Sequence, residues 1–162
     1  MNPYEAFLNG QEPLVILRET VLILPAKLAA HEEAGTTDTP PAPGKWTFRE
    51  IVAHLADTET VFAVRLRQAV AEEHHVIQPF DQDAWARGYA ATDLEDALAL
   101  FNAMRAWNLH FIAAQPGSTM EKTLSHPERG TMTFRTLVET MAGHDRNHLL
   151  QIEATLAGRT RE

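Results

Sequence analysis

The chain contains no cysteine. That excludes a disulfide framework, a thiolate nucleophile and any zinc or iron–sulfur site built on sulfur. A metal would have to be held by nitrogen and oxygen, and a thiol would have to arrive with a co-substrate. Basic residues are scarce as well: 14 Lys and Arg against 22 Asp and Glu leave a formal charge of -8. A phosphate backbone needs a basic surface, so nucleic acid is not an expected partner. Long apolar runs are missing. The richest, Val21-Leu22-Ile23-Leu24, is closed by Pro25 and is far too short to span a bilayer. The opening residues Met1-Asn2-Pro3-Tyr4-Glu5 lack the basic head and apolar run of a signal peptide. The expectation is a cytoplasmic protein with no membrane partner. There is also no G-x-S-x-G, no glycine-rich phosphate loop, no H-E-x-x-H and no Glu-x-x-His pair on two helices. Serine hydrolase, phosphate-loop, zincin and di-iron chemistries lose their support with them.

What is present is helical periodicity. With 162 residues, 44% of them hydrophobic, the chain is one domain's worth, residues 1–162, and long enough to bury a core. The first pattern runs from about Glu12 to Ala34, with Leu14, Leu17, Val21, Leu24 and Leu28 at helical spacing. Pro13 suits its first turn, whereas Pro25 should kink or interrupt it by removing a donor. The second begins at Thr47-Phe48-Arg49-Glu50, a capping box, and should reach about His75, burying Ile51, Leu55, Phe62, Leu66 and Ala69. A third opens at a second such box, Thr92-Asp93-Leu94-Glu95, and is ended by Gln115-Pro116-Gly117. The fourth begins near Thr133 and stops before Gly158. The connection from Ser118 to Thr131 leaves room for a short turn or ribbon, but no segment reads as a convincing strand. Four such helices make an all-α, four-helix bundle the economical fold. The connection from Val76 to Ala91 between helices two and three, about sixteen residues, is a crossover loop long enough to span the bundle. It carries Phe80, Trp85 and Tyr89, so it should pack back on the body or line a cleft.

Eight histidines are a mild excess. Within Gly143-His144-Asp145-Arg146-Asn147-His148, two imidazoles stand four apart and share one helix face. Alone, such a pair is more often solvated or core than a metal site. His54 is the best third nitrogen, because it lies roughly 90° from the centre of helix two's apolar arc, as His144 and His148 flank that of helix four. Three neutral imidazoles at a helix seam would leave coordination positions open, the pattern of a catalytic metal. The remaining histidines take plainer readings: His74 and His75 at a helix end, His31 and His110 exposed, His126 in a loop.

Three charges fall where apolar side chains are due: Glu59 in helix two, Arg105 in helix three and Asp145 in helix four. Unpaired buried charge is costly, so Arg105 should bridge Glu59 or Asp145 across the core. Asp145 has another possible use, accepting the free ring N–H of a ligand histidine. Asp57, one turn after His54, could do the same or hold a water at the site. A purely structural ion pair explains the three charges equally well.

Lys45-Trp46-Thr47-Phe48-Arg49-Glu50 followed by His54-Leu55-Ala56-Asp57-Thr58-Glu59 resembles the second helix of the DinB-like superfamily, particularly its bacillithiol-transferase-like branch. Phe80-Asp81-Gln82-Asp83-Ala84-Trp85 is similar to that family's loop before helix three. His126-Pro127-Glu128-x-Gly130-x-Met132-Thr133 and His144-Asp145-x-Asn147-His148-Leu149-x-Gln151-Ile152 are similar to its closing segment. The likeness extends roughly from Glu12 to Leu156. It implies up-down-down-up helix order, a homodimer, and one divalent ion, zinc or nickel, held by His54, His144 and His148. It further implies transfer of a low-molecular-weight thiol such as bacillithiol, mycothiol or glutathione to a small electrophilic substrate. Other relatives are regarded as metal-dependent hydrolases that activate water, and a non-catalytic metal-binding role is a third alternative. Arg65, Arg87, Arg129 and Arg146 could line a basic pocket for an anionic thiol, whereas Trp85, Phe80 and Tyr89 could frame a narrow apolar mouth.

Overall fold

The short polar side chains of Thr47, Asp81, Asp93 and Thr133 each cap a helix of this protein, as seen in a computed structural model that describes residues 2–157. A one-turn helix α1, Glu5–Leu8, leads into α2, Pro13–Ala34. The second long helix is α3, Phe48–Ala71, then a short α4, Gln82–Ala86, and α5, Leu94–Ala113. A two-stranded antiparallel ribbon, β1 (Thr123–His126) and β2 (Gly130–Thr133), precedes α6, Phe134–Leu156. At the head of α3 the capping box is complete: Thr47 Oγ1 accepts from the Glu50 N–H and Glu50 returns a bond to the Thr47 N–H. No helix among the described residues is long and apolar enough to cross a membrane.

Contacts between helices give the order of the bundle. Arg49 reaches Thr92, Arg105 reaches Glu59, and Arg67 reaches Asn108; numbers rise together, so α3 and α5 are parallel. Arg105 also takes the Leu17 carbonyl and the Asp145 carboxylate, while Lys27 pairs with Glu153, making α2 and α6 parallel. Phe48 clusters with Ile152 at one end, and Leu66 with Leu137 at the other, so α3 runs against α6. The result is a four-helix bundle in up-down-down-up order, and the long link between α3 and α5 exists because parallel neighbours cannot be joined by a tight turn.

The core is divided. One apolar cluster gathers Leu17, Leu66, Ile112, Phe134 and Met141 at one end, and another gathers Leu24, Ile51, Leu55, Phe101 and Ile152 at the other. Between them lies a polar layer containing Thr20, Glu59, Arg105, Asn108 and Asp145, all 2% exposed or less. Arg105 is its hub. The guanidinium grips Asp145 with two bonds (2.6 and 3.0 Å), donates to Glu59 Oε1 at 2.7 Å and to the Leu17 carbonyl at 2.8 Å. Asn108 donates to the other Glu59 oxygen at 2.9 Å, and the Phe101 ring covers the guanidinium at 4.8 Å. One side chain of α5 therefore ties α2, α3 and α6 together. Burial opposes the charge of Arg105, but the two carboxylates outweigh it and raise its pKa.

Several local expectations give way to tertiary context. Pro25 does not interrupt α2, which continues to Ala34; the residue is exposed, so water can take the carbonyl that loses its donor. The helix α3 ends at Ala71 rather than near His75, because the chain leaves it to pair with the ribbon: Ser125 N–H donates to the His75 carbonyl and Ile77 N–H to the Ser125 carbonyl. The connection with room for a short turn or ribbon forms a ribbon over residues 123–133, although no segment of it reads as a convincing strand, and it puts Leu124 and Met132 into the core. The N-cap of α5 is Asp93, accepting from Asp96 N–H, and not Thr92. His31, expected on the surface, is wholly buried: it stacks on Phe48 at 4.4 Å and uses both ring nitrogens, on Thr36 Oγ1 and the Ile152 carbonyl. Its place seven residues after Leu24 and fourteen after Leu17 was the available signal. His126 sits buried in β1, its Nδ1 accepting from the Glu128 N–H, instead of in an open loop.

Candidate metal centre

Beside the polar layer, at the seam of α3 and α6, the structure brings His54, His144 and His148 together. Their Nε2 atoms converge: 2.9 Å separates His54 from His144 and 3.1 Å separates His148 from His144. The three residues are 1%, 6% and 5% exposed. An imidazole nitrogen has one in-plane lone pair, so His144 Nε2 cannot accept from both neighbours at once. A cation at the convergence point resolves that conflict. Nitrogens about 2.0–2.1 Å from a tetrahedral ion stand about 3.3 Å apart, close to the spacings found here. Among the described residues this is the one group of three or more His, Asp or Glu side chains with metal-binding proximity.

The protonation states suit a ligand set. Burial pushes the His54 pKa down to about 3, with His148 adding to the effect. Burial likewise lowers His148 to about 4, opposed by its bond to Gln151 and by the Asp145 carboxylate. His144 is lowered well below its ordinary value, first by burial and then by its two partners. All three imidazoles are neutral at pH 7. His148 Nδ1 donates to Gln151 Oε1 at 2.8 Å, the tautomer that leaves Nε2 as the acceptor. Of the two uses open to Asp145, the bridge to Arg105 is the one found, and its carboxylate is not bonded to a histidine of the triad. The Nδ1 of His54 is buried without a partner.

These shifts carry a sign. In the unfolded chain each imidazole takes up a proton near pH 6.5; in the folded, metal-free protein it does so only well below that. The unfolded state therefore binds more protons over the intervening range, and stability falls as pH falls through it. We expect unfolding free energy of the metal-free protein, measured by urea titration, to drop between pH 7 and pH 5 by up to about 1.4 kcal/mol per unit for each imidazole. A flat profile over that interval would contradict the buried neutral triad.

A cavity of about 470 Å³ opens onto His148, with Tyr4, Trp46, Lys45, Asp83, Asn147 and Gln151 in its walls. Trp46 lies parallel to the His148 ring (6.2 Å, 11°) and also meets His54 at 4.9 Å. It is held by the loop before α3, which Arg49 clamps through two bonds to Asp38. Tyr89 packs behind His54 at 6.2 Å; burial raises its phenol pKa and the nearby Asp57 carboxylate raises it further, although its hydroxyl makes no hydrogen bond of ordinary length. Phe80 and Trp85 meet at 4.8 Å with their rings tilted by 50°, and they do not line this cavity. None of the four basic candidates, Arg65, Arg87, Arg129 and Arg146, is in the cavity wall, although Arg129 acts electrostatically on Tyr4, His144 and Arg65. Sequence reasoning overlooked Tyr4, Lys45 and the supporting role of Gln151. The last had a signal, its position three residues after His148 on the same face.

The DinB superfamily matches residues 26–152. The chain belongs to that superfamily. A protein of Oceanobacillus iheyensis named "Putative metal-dependent hydrolase OB0782" is 33% identical over 116 residues, 71% of this chain and 67% of the relative. A Bacillus mycoides protein with the same descriptive name is 26% identical over the same shares. The solved structure of YfiT from Bacillus subtilis, described as "a probable metal-dependent hydrolase with an unusual four-helix bundle topology", superposes with a TM-score of 0.80 at 23% identity, covering 88% of this chain and 83% of that one. The fold of this DinB-superfamily member is thus shared with YfiT, and its buried three-histidine group fits a divalent metal.

Proposed function

We propose that this DinB-superfamily protein is a metal-dependent enzyme that joins a low-molecular-weight thiol to small electrophiles, with His54, His144 and His148 holding one divalent ion. The convergence of three buried, neutral Nε2 atoms beside an open cavity is the observation that carries this reading. Such an ion supplies Lewis acidity and lowers the pKa of a thiol or water that it binds. Three imidazoles do not discriminate strongly among zinc, nickel and similar ions.

The surrounding residues favour a thiol. Hydrolysis is best served by a carboxylate poised as general base, but Glu59 and Asp145 are tied to Arg105 and Asp57 lies on the Tyr89 side of His54. Asp83 is the single carboxylate in the cavity wall among the described residues, and it is exposed. A thiol is acidic enough to need no such base. Lys45 in the wall, and Arg129 acting on His144 and Tyr4, suit a co-substrate carrying negative charge. Hydrolysis is the second reading, and the names of the relatives favour it. Protein loaded with zinc or nickel, given glutathione, bacillithiol or mycothiol together with an aryl halide electrophile, is expected to form the thioether, followed by absorbance. Thiol-independent turnover of esters or amides, with no thioether formed, would instead establish the hydrolase.

A further inference from the structure

Residues 2–8 precede the stretch matched by the superfamily, which begins at residue 26, and they are held against α6 with specific contacts. Asn2 Oδ1 accepts from the Tyr4 N–H at 2.9 Å and from the Thr140 hydroxyl at 3.3 Å. Leu8 packs on the apolar cluster at that end of the bundle. The closest approach is at Gly143, where a methyl group would stand 2.5 Å from the Tyr4 carbonyl oxygen and 2.6 Å from its Cβ. Any side chain at position 143 would push this segment away. Glycine in the middle of a helix costs about 1 kcal/mol relative to alanine, so its presence one residue before His144 is explained by the docking.

The docked segment delivers an aromatic ring to the site. Tyr4 meets His144 edge-on at 5.3 Å and 82°, and it lines the same cavity as Trp46, which lies flat along His148. Two aromatic rings thus rest against two different imidazoles of the triad, one from before α1 and one from the loop before α3. Flat rings offer large contact area at low entropic cost, and they favour aromatic partners.

We propose that Tyr4 is a specificity-determining residue of the metal cavity, pairing with Trp46 to receive the flat apolar portion of the small-molecule substrate, and that Gly143 is the positioning residue that admits it. This rests on the cavity beside the three histidines being the substrate site, but not on the thiol reaction. The test uses two metal-seeking probes, acetohydroxamate and benzohydroxamate, titrated calorimetrically into the metal-loaded protein. Tyr4→Ala is expected to weaken benzohydroxamate about tenfold and acetohydroxamate less than about twofold. Tyr4→Phe keeps the ring and stays near the unmodified protein. Gly143→Ala leaves Tyr4 intact and favours the helix, yet should reproduce the Tyr4→Ala pattern with metal content unchanged. Equal effects on both probes, no effect on either, or no binding of either to the loaded protein would overturn the role of Tyr4 and leave the metal site standing. Failure to bind metal at all would overturn the site reading, and this inference with it.

Discussion

Arg105→Met should be among the most destabilising single changes in this protein, lowering unfolding free energy by about 3–5 kcal/mol. The reason is not the loss of one attractive pair. The substitution leaves Glu59 and Asp145, each 2% exposed, without the guanidinium that compensates them, and an uncompensated buried carboxylate must either stay charged in a poor dielectric or take up a proton. In a chain of this size that loss corresponds to a fall in melting temperature on the order of 10 °C. The triple change Arg105→Met, Glu59→Gln, Asp145→Asn should recover much of it, since neutral amides can keep hydrogen bonds to one another and to Asn108 without net charge. Thermal and urea denaturation of the single and triple variants check this. A single variant as stable as the parent would show that the layer is hydrated in solution and that Arg105 is not its hub.

His144→Ala is expected to abolish stable metal binding, from one equivalent to under about a tenth after dialysis, measured by elemental analysis. His54→Ala and His148→Ala should act alike, because two imidazoles from a set of three seldom retain a divalent ion against buffer. Gln151→Ala removes the acceptor that orients His148 and should weaken metal binding about 10–100-fold without abolishing it. His31→Ala is the informative control. That residue is equally buried but lies outside the triad, with both nitrogens already bonded, so its loss should lower stability and leave metal content at one equivalent. Retention of metal by His54→Ala would remove His54 from the ligand set.

The two effects meet in space but differ in kind. Asp145 follows His144 in sequence, and Glu59 lies five residues beyond His54, so the polar layer and the triad are built on adjacent turns of the same two helices. The layer ties the four helices together, whereas the triad meets the cavity through His148.

Much of this was legible in the chain alone, for definable reasons. Periodicity and capping act over a few residues, so Thr47 with Glu50, the stripe from Ile51 to Ala69 and the spacing of His144 and His148 could be read directly. Arg105, Glu59 and Asp145 announced themselves because charge in an apolar stripe has to be answered from another helix. The absence of cysteine and the charge of -8 bounded the chemistry before any fold was considered. Tertiary packing decided the rest. Whether Asp145 served a histidine or an arginine depended on which group lay across the bundle, and Arg105 captured it with two bonds. The ribbon at residues 123–133 ended α3 early, since its backbone offered residues 75–77 partners that a helix would have denied them. Tyr4 reached the cavity only because Gly143 let a distant segment approach α6. A helix or a cap is stabilised by neighbours in sequence, but a cavity wall is made by residues more than a hundred positions apart, and no local preference specifies which of them will meet.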